Sequence, residues 1–182
     1  MTVAPSIPAL DALAPDAFVA AVAPLFEGAP HFLARLAAGR PYGDAAGLFA
    51  RARTIAHAMP EPEQLELIDA HPRLGAPPGS VSALSYVEQG YDRDAADAAA
   101  EAERTRVAEA LVQLNSAYES RFGFRYCVFV AGRSRADLIP EMTVALANDR
   151  ASEIARAIDA VVDIAMDRYA KLAVAAPEGV TR

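Results

Sequence analysis

The sequence predicts an all-α fold: a single-domain, multi-helix bundle. Three observations carry this. Alanine, the strongest helix former, is the commonest residue. Between prolines the apolar residues recur at helical spacings of three and four rather than at the strand spacing of two. Only one stretch, Phe124 to Val130, has the aromatic and β-branched run of a strand, and one extended segment makes no sheet. That stretch reads equally well as a buried extended connection or as the start of a helix.

The elements follow in order. Pro15-Asp16 signals a helix from Ala17 to Phe26, closed by Gly28 and Pro30. His31 then stands near the start of another helix. Asp44 is an N-cap candidate for a helix that runs to Met59, where Pro60 stops it. Glu63 to Ala70 reads as a helix that breaks at His71, because Pro72 pushes its predecessor out of the α region. The loop Arg-Leu-Gly-Ala-Pro-Pro-Gly-Ser comes next, and a short helix begins near Ser82. A long helix from Asp94 to Ser120 carries Val107, Leu111, Leu114 and Tyr118 on one stripe, until Gly123 interrupts it. Two closing helices run from Arg135 to Ala147 and from Ala151 to Ala173, the second with Ile154, Ile158, Val161 and Ala165 along one face. The tail from Ala175 reads as frayed, and no internal repeat is visible.

A length of 182 residues suits one domain with a core from about residue 10 to 173. With 53% hydrophobic and 23% charged residues the chain is not of the disordered class. A net charge of -7 and a pI near 4.9 repel polyanions, which argues against nucleic acid as a partner. No window approaches the apolar length of a membrane span, and the N-terminus lacks the pattern of a secretory leader, so the expected compartment is the cytoplasm. Cys127 is the only cysteine, which rules out an intrachain disulfide and fits a reducing compartment. Within Tyr-Cys-Val-Phe-Val it reads as a small buried side chain rather than a nucleophile.

Few residues are placed to carry chemistry. Of the three histidines, His31 and His57 read as structural, whereas His71 stands at a helix exit. There the partial negative charge of the helix end favours imidazolium, and irregular backbone turns the ring away from the helical ladder. That suits an acid/base group, and it also suits a histidine that merely caps the helix. Ser85, Glu88 and Gln89 share one face of the short helix, beside a stripe of Leu84, Val87 and Tyr91. The face offers a hydroxyl, a carboxylate and an amide to a ligand rich in N–H and C=O groups, or else it is an ordinary solvated face. Arg168 continues the apolar stripe of the last helix, so its charge either reaches water or turns inward to hold a carboxylate. The charged segment from Glu101 to Glu109 reads as a wet helix face. Neither a phosphate-cradling glycine loop nor a metal-ligand spacing occurs, so no cofactor and no metal are expected.

Three segments together resemble a known family. Ala70-His71-Pro72-Arg73-Leu74-Gly75, then Ser85-x-x-Glu88-Gln89, then Leu114-Asn115-x-x-Tyr118-x-x-x-Phe122-Gly123-Phe124 are similar, in order and spacing, to 2-oxo-4-hydroxy-4-carboxy-5-ureidoimidazoline (OHCU) decarboxylase. Weaker similarity extends from Phe18 and the Phe26-Glu27-x-x-Pro30 segment to Asn148, Glu153 and Arg168. The resemblance implies an all-α homodimer and a cofactor-free enzyme of purine catabolism that converts an anionic ureide to (S)-allantoin and carbon dioxide. It places the catalytic histidine at His71, with Glu88 beside it in the chemistry. It places substrate contacts at Pro72, at Ser85 to Gln89, at the backbone of Tyr126, Cys127, Val128, Phe129 and Val130, and at Arg168. Two departures stand out. The family pattern has proline or a small residue where this chain has Arg125, and an arginine where it has Ala145. They leave open a diverged lyase acting on another ureide or small oxo acid, and a non-catalytic helical dimer that binds a ureide.

Overall fold

The computed structural model describes residues 5–93 and 98–174. Its helices are α1 (Ile7–Asp11), α2 (Pro15–Val22), α3 (Pro30–Ala38), α4 (Ala45–Ala58), α5 (Glu61–Asp69), α6 (Ala83–Glu88), α7 (Ala98–Phe122), α8 (Arg135–Ala145) and α9 (Arg150–Val174). No strand occurs among the described residues, as an all-α class requires. The expected helix start at Asp94 and the expected frayed tail from Ala175 lie outside the described residues.

The helix ends follow local chemistry. Asp44 caps α4 by accepting from Gly47 N at 2.7 Å. Ser82 caps α6 in the same way from Ser85 N at 3.2 Å, and Ser134 with Asp137 forms a capping box on α8. The helix expected from Ala17 to Phe26 instead ends at Val22 and tightens into a 3₁₀ turn over Ala23–Phe26. Pro24 has no N–H to continue the i→i−4 ladder, and Glu27 turns left-handed at φ 52° to close it. Helix α5 starts two positions earlier than expected, since Pro62 in the first turn costs no hydrogen bond. Helix α8 stops at Ala145 rather than Ala147, where Ala147 N and Asn148 N bond Val144 O and Ala145 O in tight turns.

The chain divides into two compact units: the first runs through Ala70 and resumes at Ile158, and the second is His71–Ala157. In the first unit Phe18, Phe26, Phe32, Leu33, Leu36, Leu48, Ile68, Ile158 and Val161 are buried, and the rings of Phe26 and Phe32 lie 4.8 Å apart. Each such side chain contributes about 1.5–3 kcal/mol through removal from water. His31 bonds Glu66 and His57 bonds Asp159 there, both on exposed positions, so neither is placed for buried chemistry.

The second unit is built around aromatic rings and one carboxylate. Tyr118 on α7 packs against Phe122, Phe124 and Tyr126 with centroids 4.5, 5.6 and 5.1 Å away. Beside them Glu153 on α9 is fully buried, and three donors meet its carboxylate: Tyr118 Oη at 2.6 Å, Asn148 Nδ2 at 2.7 Å and Arg156 Nε at 2.9 Å. Burial, and then the bond to Glu153, push the Tyr118 phenol well above its ordinary range, so it remains a donor. A buried anion is tolerable only with such partners. Glu153→Ala is therefore expected to cost about 3–5 kcal/mol in urea unfolding, because it strands the Arg156 charge. Adding Arg156→Met should recover part of that loss, and no recovery would mean that the carboxylate matters for another reason.

Candidate active site

The second unit contains two stretches of irregular backbone, 71–76 and 124–130; His71, Pro72 and 126–130 lie on them, and Ser85, Glu88 and Gln89 lie on α6 or at its end. His71 follows α5 and is 3% exposed, outside the helical ladder as Pro72 requires. Irregular backbone still needs hydrogen-bond partners, and side chains supply them around this loop. Arg125 Nη1 donates to His71 O at 3.1 Å, Gln89 Nε2 to Arg73 O at 3.2 Å, Asn115 Nδ2 to Leu74 O at 2.9 Å and Tyr91 Oη to Ala76 O at 2.5 Å. Gln89 Oε1 in turn accepts from Gly75 N at 2.8 Å. Gly75 has φ 77°, and an added Cβ would lie 2.7 Å from Leu111 Cδ1, so this position needs glycine on both grounds.

Helix α6 and its C-cap do not present Ser85 and Gln89 to solvent, so the reading as an ordinary solvated face fails. Its buried positions are the polar ones, Ser85 at 2% and Gln89 at 7% exposure, while Val87 is 52% exposed. Glu88 at the end of the helix is half-buried. The polar face is thus an interior face, and its amide spans the backbone that follows His71. Arg135 Nη1 fixes Gln89 in turn by donating to its carbonyl at 2.8 Å.

The stretch 124–130 is neither helix nor strand, which removes the helical reading. Tyr126, Cys127 and Val130 are buried, and Val128 and Phe129 are half-buried. Arginines bond its carbonyls: Arg156 Nη1 donates to Cys127 O at 2.8 Å, Arg133 Nη2 to Phe129 O at 2.6 Å and Arg133 Nε to Val130 O at 3.0 Å. The Arg156 guanidinium also stacks 4.5 Å from the Tyr126 centroid. Cys127 is a buried side chain in this run, as its apolar context implied.

A groove of about 560 Å³ opens alongside the loop, lined among others by Pro72, Arg73, Pro77, Asn115, Glu119 and Arg125. Of the sequence-selected residues only Pro72 lines this groove; Ser85, Glu88, Gln89 and 126–130 do not. At its rim Arg73 forms a fork with Glu119, Nη2 to Oε2 at 2.6 Å. Bonds from Arg73 hold the Glu119 carboxyl below the ordinary carboxylate range, helped by the charges of Arg73 and Arg125 and opposed by partial burial. Arg168 belongs to the first unit. It is 2% exposed, donates to Pro24 O at 3.1 Å and Leu25 O at 3.3 Å, and meets Glu27 Oε1 at 2.9 Å. The carboxylate it holds is therefore one of the chain's own.

Arg125, Tyr91 and Arg156 carry as much of this geometry as the residues singled out by sequence. Arg156 had one readable signal, its i, i+3 spacing from Glu153. Ala145, the other departure, is 4% exposed, and nothing in the structure explains the change from arginine there. Among the described residues no three His, Cys, Asp or Glu side chains are grouped to hold a metal.

Two outcomes follow from this geometry. Gly75→Ala should destabilise by about 1–3 kcal/mol in chemical denaturation, whereas Gly79→Ala, with nothing within 4 Å of the added Cβ, should stay within about 0.5 kcal/mol. Because the folded-state pKa of Glu119 is depressed, its contribution is complete above the unfolded value of about 4.3 and is lost as pH falls through the folded value. The stability difference between wild type and Glu119→Gln should accordingly be flat at neutral pH and shrink only below about pH 4.3. A difference that shrinks on raising the pH from neutrality would contradict the pairing.

Known proteins share this architecture. The family model described as OHCU decarboxylase matches residues 11–170. A 2-oxo-4-hydroxy-4-carboxy-5-ureidoimidazoline decarboxylase of Haloferax volcanii is 26% identical over 156 residues, covering 86% of this chain and 89% of that protein. A uric acid degradation bifunctional protein of Bacillus sp. (strain TB-90) is 23% identical over 90% of this chain, and PucL, a uric acid degradation bifunctional protein of Bacillus subtilis, is 27% identical over 81%. The chain spans only 31% and 28% of the lengths of those two relatives. Among solved structures, an OHCU decarboxylase crystallised in the presence of (S)-allantoin superposes with a TM-score of 0.62 at 22% identity, over 81% of this chain and 93% of that one. An (S)-allantoin synthase superposes with a TM-score of 0.63 at 17% identity, over 92% of this chain and 54% of that one. With a helical fold, the His71 loop tied to α6 and a family match over nearly its whole length, the chain belongs to the OHCU decarboxylase family.

Proposed function

We propose that this protein decarboxylates OHCU to (S)-allantoin and carbon dioxide in uric acid breakdown, with His71 as the acid/base group. One observation carries the reading: Gln89, from the Ser85-x-x-Glu88-Gln89 helix, bonds both Arg73 O and Gly75 N, so the two motifs form one assembly with a buried histidine at its start. The substrate is a small anion with carboxylate, hydroxyl and ureido groups, and its recognition calls for donors and acceptors in a mostly enclosed place.

The chemistry balances without an outside electron acceptor. The C–C bond to the carboxylate breaks, carbon dioxide leaves, and the electron pair passes into the adjacent C=N of the ring. The ring nitrogen takes one proton, the hydroxyl gives one up as its carbon becomes the carbonyl, and a proton added to the carbon of the former C=N completes (S)-allantoin. His71 delivers this proton to one face, which sets the configuration, while Glu88 holds the imidazole or the substrate hydroxyl. Ser85, Pro72 and the backbone of Tyr126 to Val130 contact the substrate in this reading, and Gln89 adds to them by fixing the loop. Arg168, the remaining residue that the resemblance assigns to substrate, is bonded to Glu27 within the first unit. Of the departures that left a diverged lyase open, Arg125 has a structural account in its bond to the His71 carbonyl. A cytoplasmic homodimer completes the reading.

The test uses freshly generated OHCU and follows (S)-allantoin by circular dichroism. Wild type should accelerate its appearance over buffer, and His71→Asn should lower the rate by about 10² to 10⁴ while the melting temperature moves by only a few degrees. Equal rates with and without protein would sink the decarboxylase reading. Thermal stabilisation by (S)-allantoin without turnover would point to a ureide-binding module instead.

A further inference from the structure

Taking His71 as the acid/base group of the proposed reaction, we infer that Arg125 is a positioning residue: by bonding the His71 carbonyl it sets where the imidazole stands relative to the irregular backbone of 126–130.

The argument starts from what holds His71. Its side chain is buried, but its backbone has left α5 and belongs to no ladder, so the place of the Cα from which the ring extends depends on how the adjoining peptide plane is anchored. The carbonyls of Arg73, Leu74 and Ala76 are anchored by Gln89, Asn115 and Tyr91. At His71 itself the anchor is Arg125 Nη1, at 3.1 Å. Arg125 is also the residue immediately before Tyr126. The bond therefore links the proposed proton donor to the stretch proposed to bind the substrate backbone-to-ligand, across 54 positions of sequence. A displacement of the order of 1 Å between reacting groups costs about 10²-fold in rate, and a guanidinium is a rigid fork well suited to fixing such a distance.

The surroundings make the residue testable in an unusual way. Arg125 lines the 560 Å³ groove, which is open and large enough to admit a small cation once the side chain is shortened. Glu119, kept ionised by Arg73 and Arg125, supplies a carboxylate in the same groove to receive it.

The experiment compares wild type, Arg125→Ala and Arg125→Lys. For Arg125→Ala, kcat should fall about 10- to 100-fold with KM changed by less than about twofold and the melting temperature within a few degrees. Arg125→Lys should recover part of kcat. Millimolar methylguanidinium should also restore part of the activity of Arg125→Ala, and methylammonium at equal ionic strength should not. A second readout does not depend on turnover: with ¹⁵N-labelled histidine, the His71 ring signal, identified by its absence in His71→Asn, should shift in Arg125→Ala and return with methylguanidinium. The signals of His31 and His57, paired with Glu66 and Asp159, should stay in place. If wild type does not turn over OHCU but the His71 signal responds as described, the reaction is misread and the positioning role stands. The inference is overturned if Arg125→Ala leaves both kcat and the His71 signal unchanged. It is equally overturned if kcat falls only in step with the melting temperature and neither lysine nor methylguanidinium restores it.

Discussion

Irregular backbone inside a helical unit must have its polar groups satisfied by side chains, because no ladder is there to do it. The second unit carries two such stretches and meets the requirement with a fixed set of donors. Around 71–76 these are Arg125, Gln89, Asn115 and Tyr91, and along 124–130 they are Arg156 and Arg133. Each bond contributes about 1 kcal/mol net, yet a buried carbonyl left without a partner costs about 1–3 kcal/mol. The arrangement is accordingly closer to all-or-none than a list of modest bonds implies. It leaves His71 free of helical geometry while giving it a fixed place.

Glu153 extends the same logic inward. Its carboxylate orders Arg156, and Arg156 reaches from there to Cys127 O and stacks on Tyr126. The carboxylate is thus separated from the proposed substrate-binding backbone by one side chain. Tyr118 and Asn148 complete its shell, and both are anchored on other elements of the unit. A buried ionic cluster is a poor source of net stability. Here it fixes the register of a segment that has no strand partner to fix it.

Much of this was legible in the sequence because it is local. The all-α class followed from apolar spacing, the break at His71 from Pro72, and the caps at Asp44 and Ser82 from side chains within one turn. The Ala70 to Gly75, Ser85 to Gln89 and Leu114 to Phe124 segments gave the family before any coordinates. What escaped is non-local. The polar face of helix α6 had two open fates, and it is buried with Gln89 bonded to a loop that only folding brings near, which no periodicity encodes. Arg168 had two open fates, and its partner Glu27 lies 141 positions away. Arg125 was conspicuous as a departure, but its role as a tether depends on a carbonyl oxygen, an atom every residue has and no sequence marks.

The distribution of positive charge sharpens the chemical problem. Lys171 is the only lysine, so nearly all cationic charge in this acidic chain is guanidinium. An ammonium is a compact point charge, whereas a guanidinium offers five donors in a plane and can bond a carbonyl and a carboxylate together. Arg156, Arg133 and Arg168 do so, each reaching at least one backbone oxygen and one of Glu153, Glu141 and Glu27. Arginine is used here largely as a structural donor, and a net charge of -7 gives no long-range attraction for an anionic substrate. Recognition of such a substrate must then be short-range and geometric, through backbone and neutral donors held in place. This is the setting in which the anchoring of irregular backbone matters most.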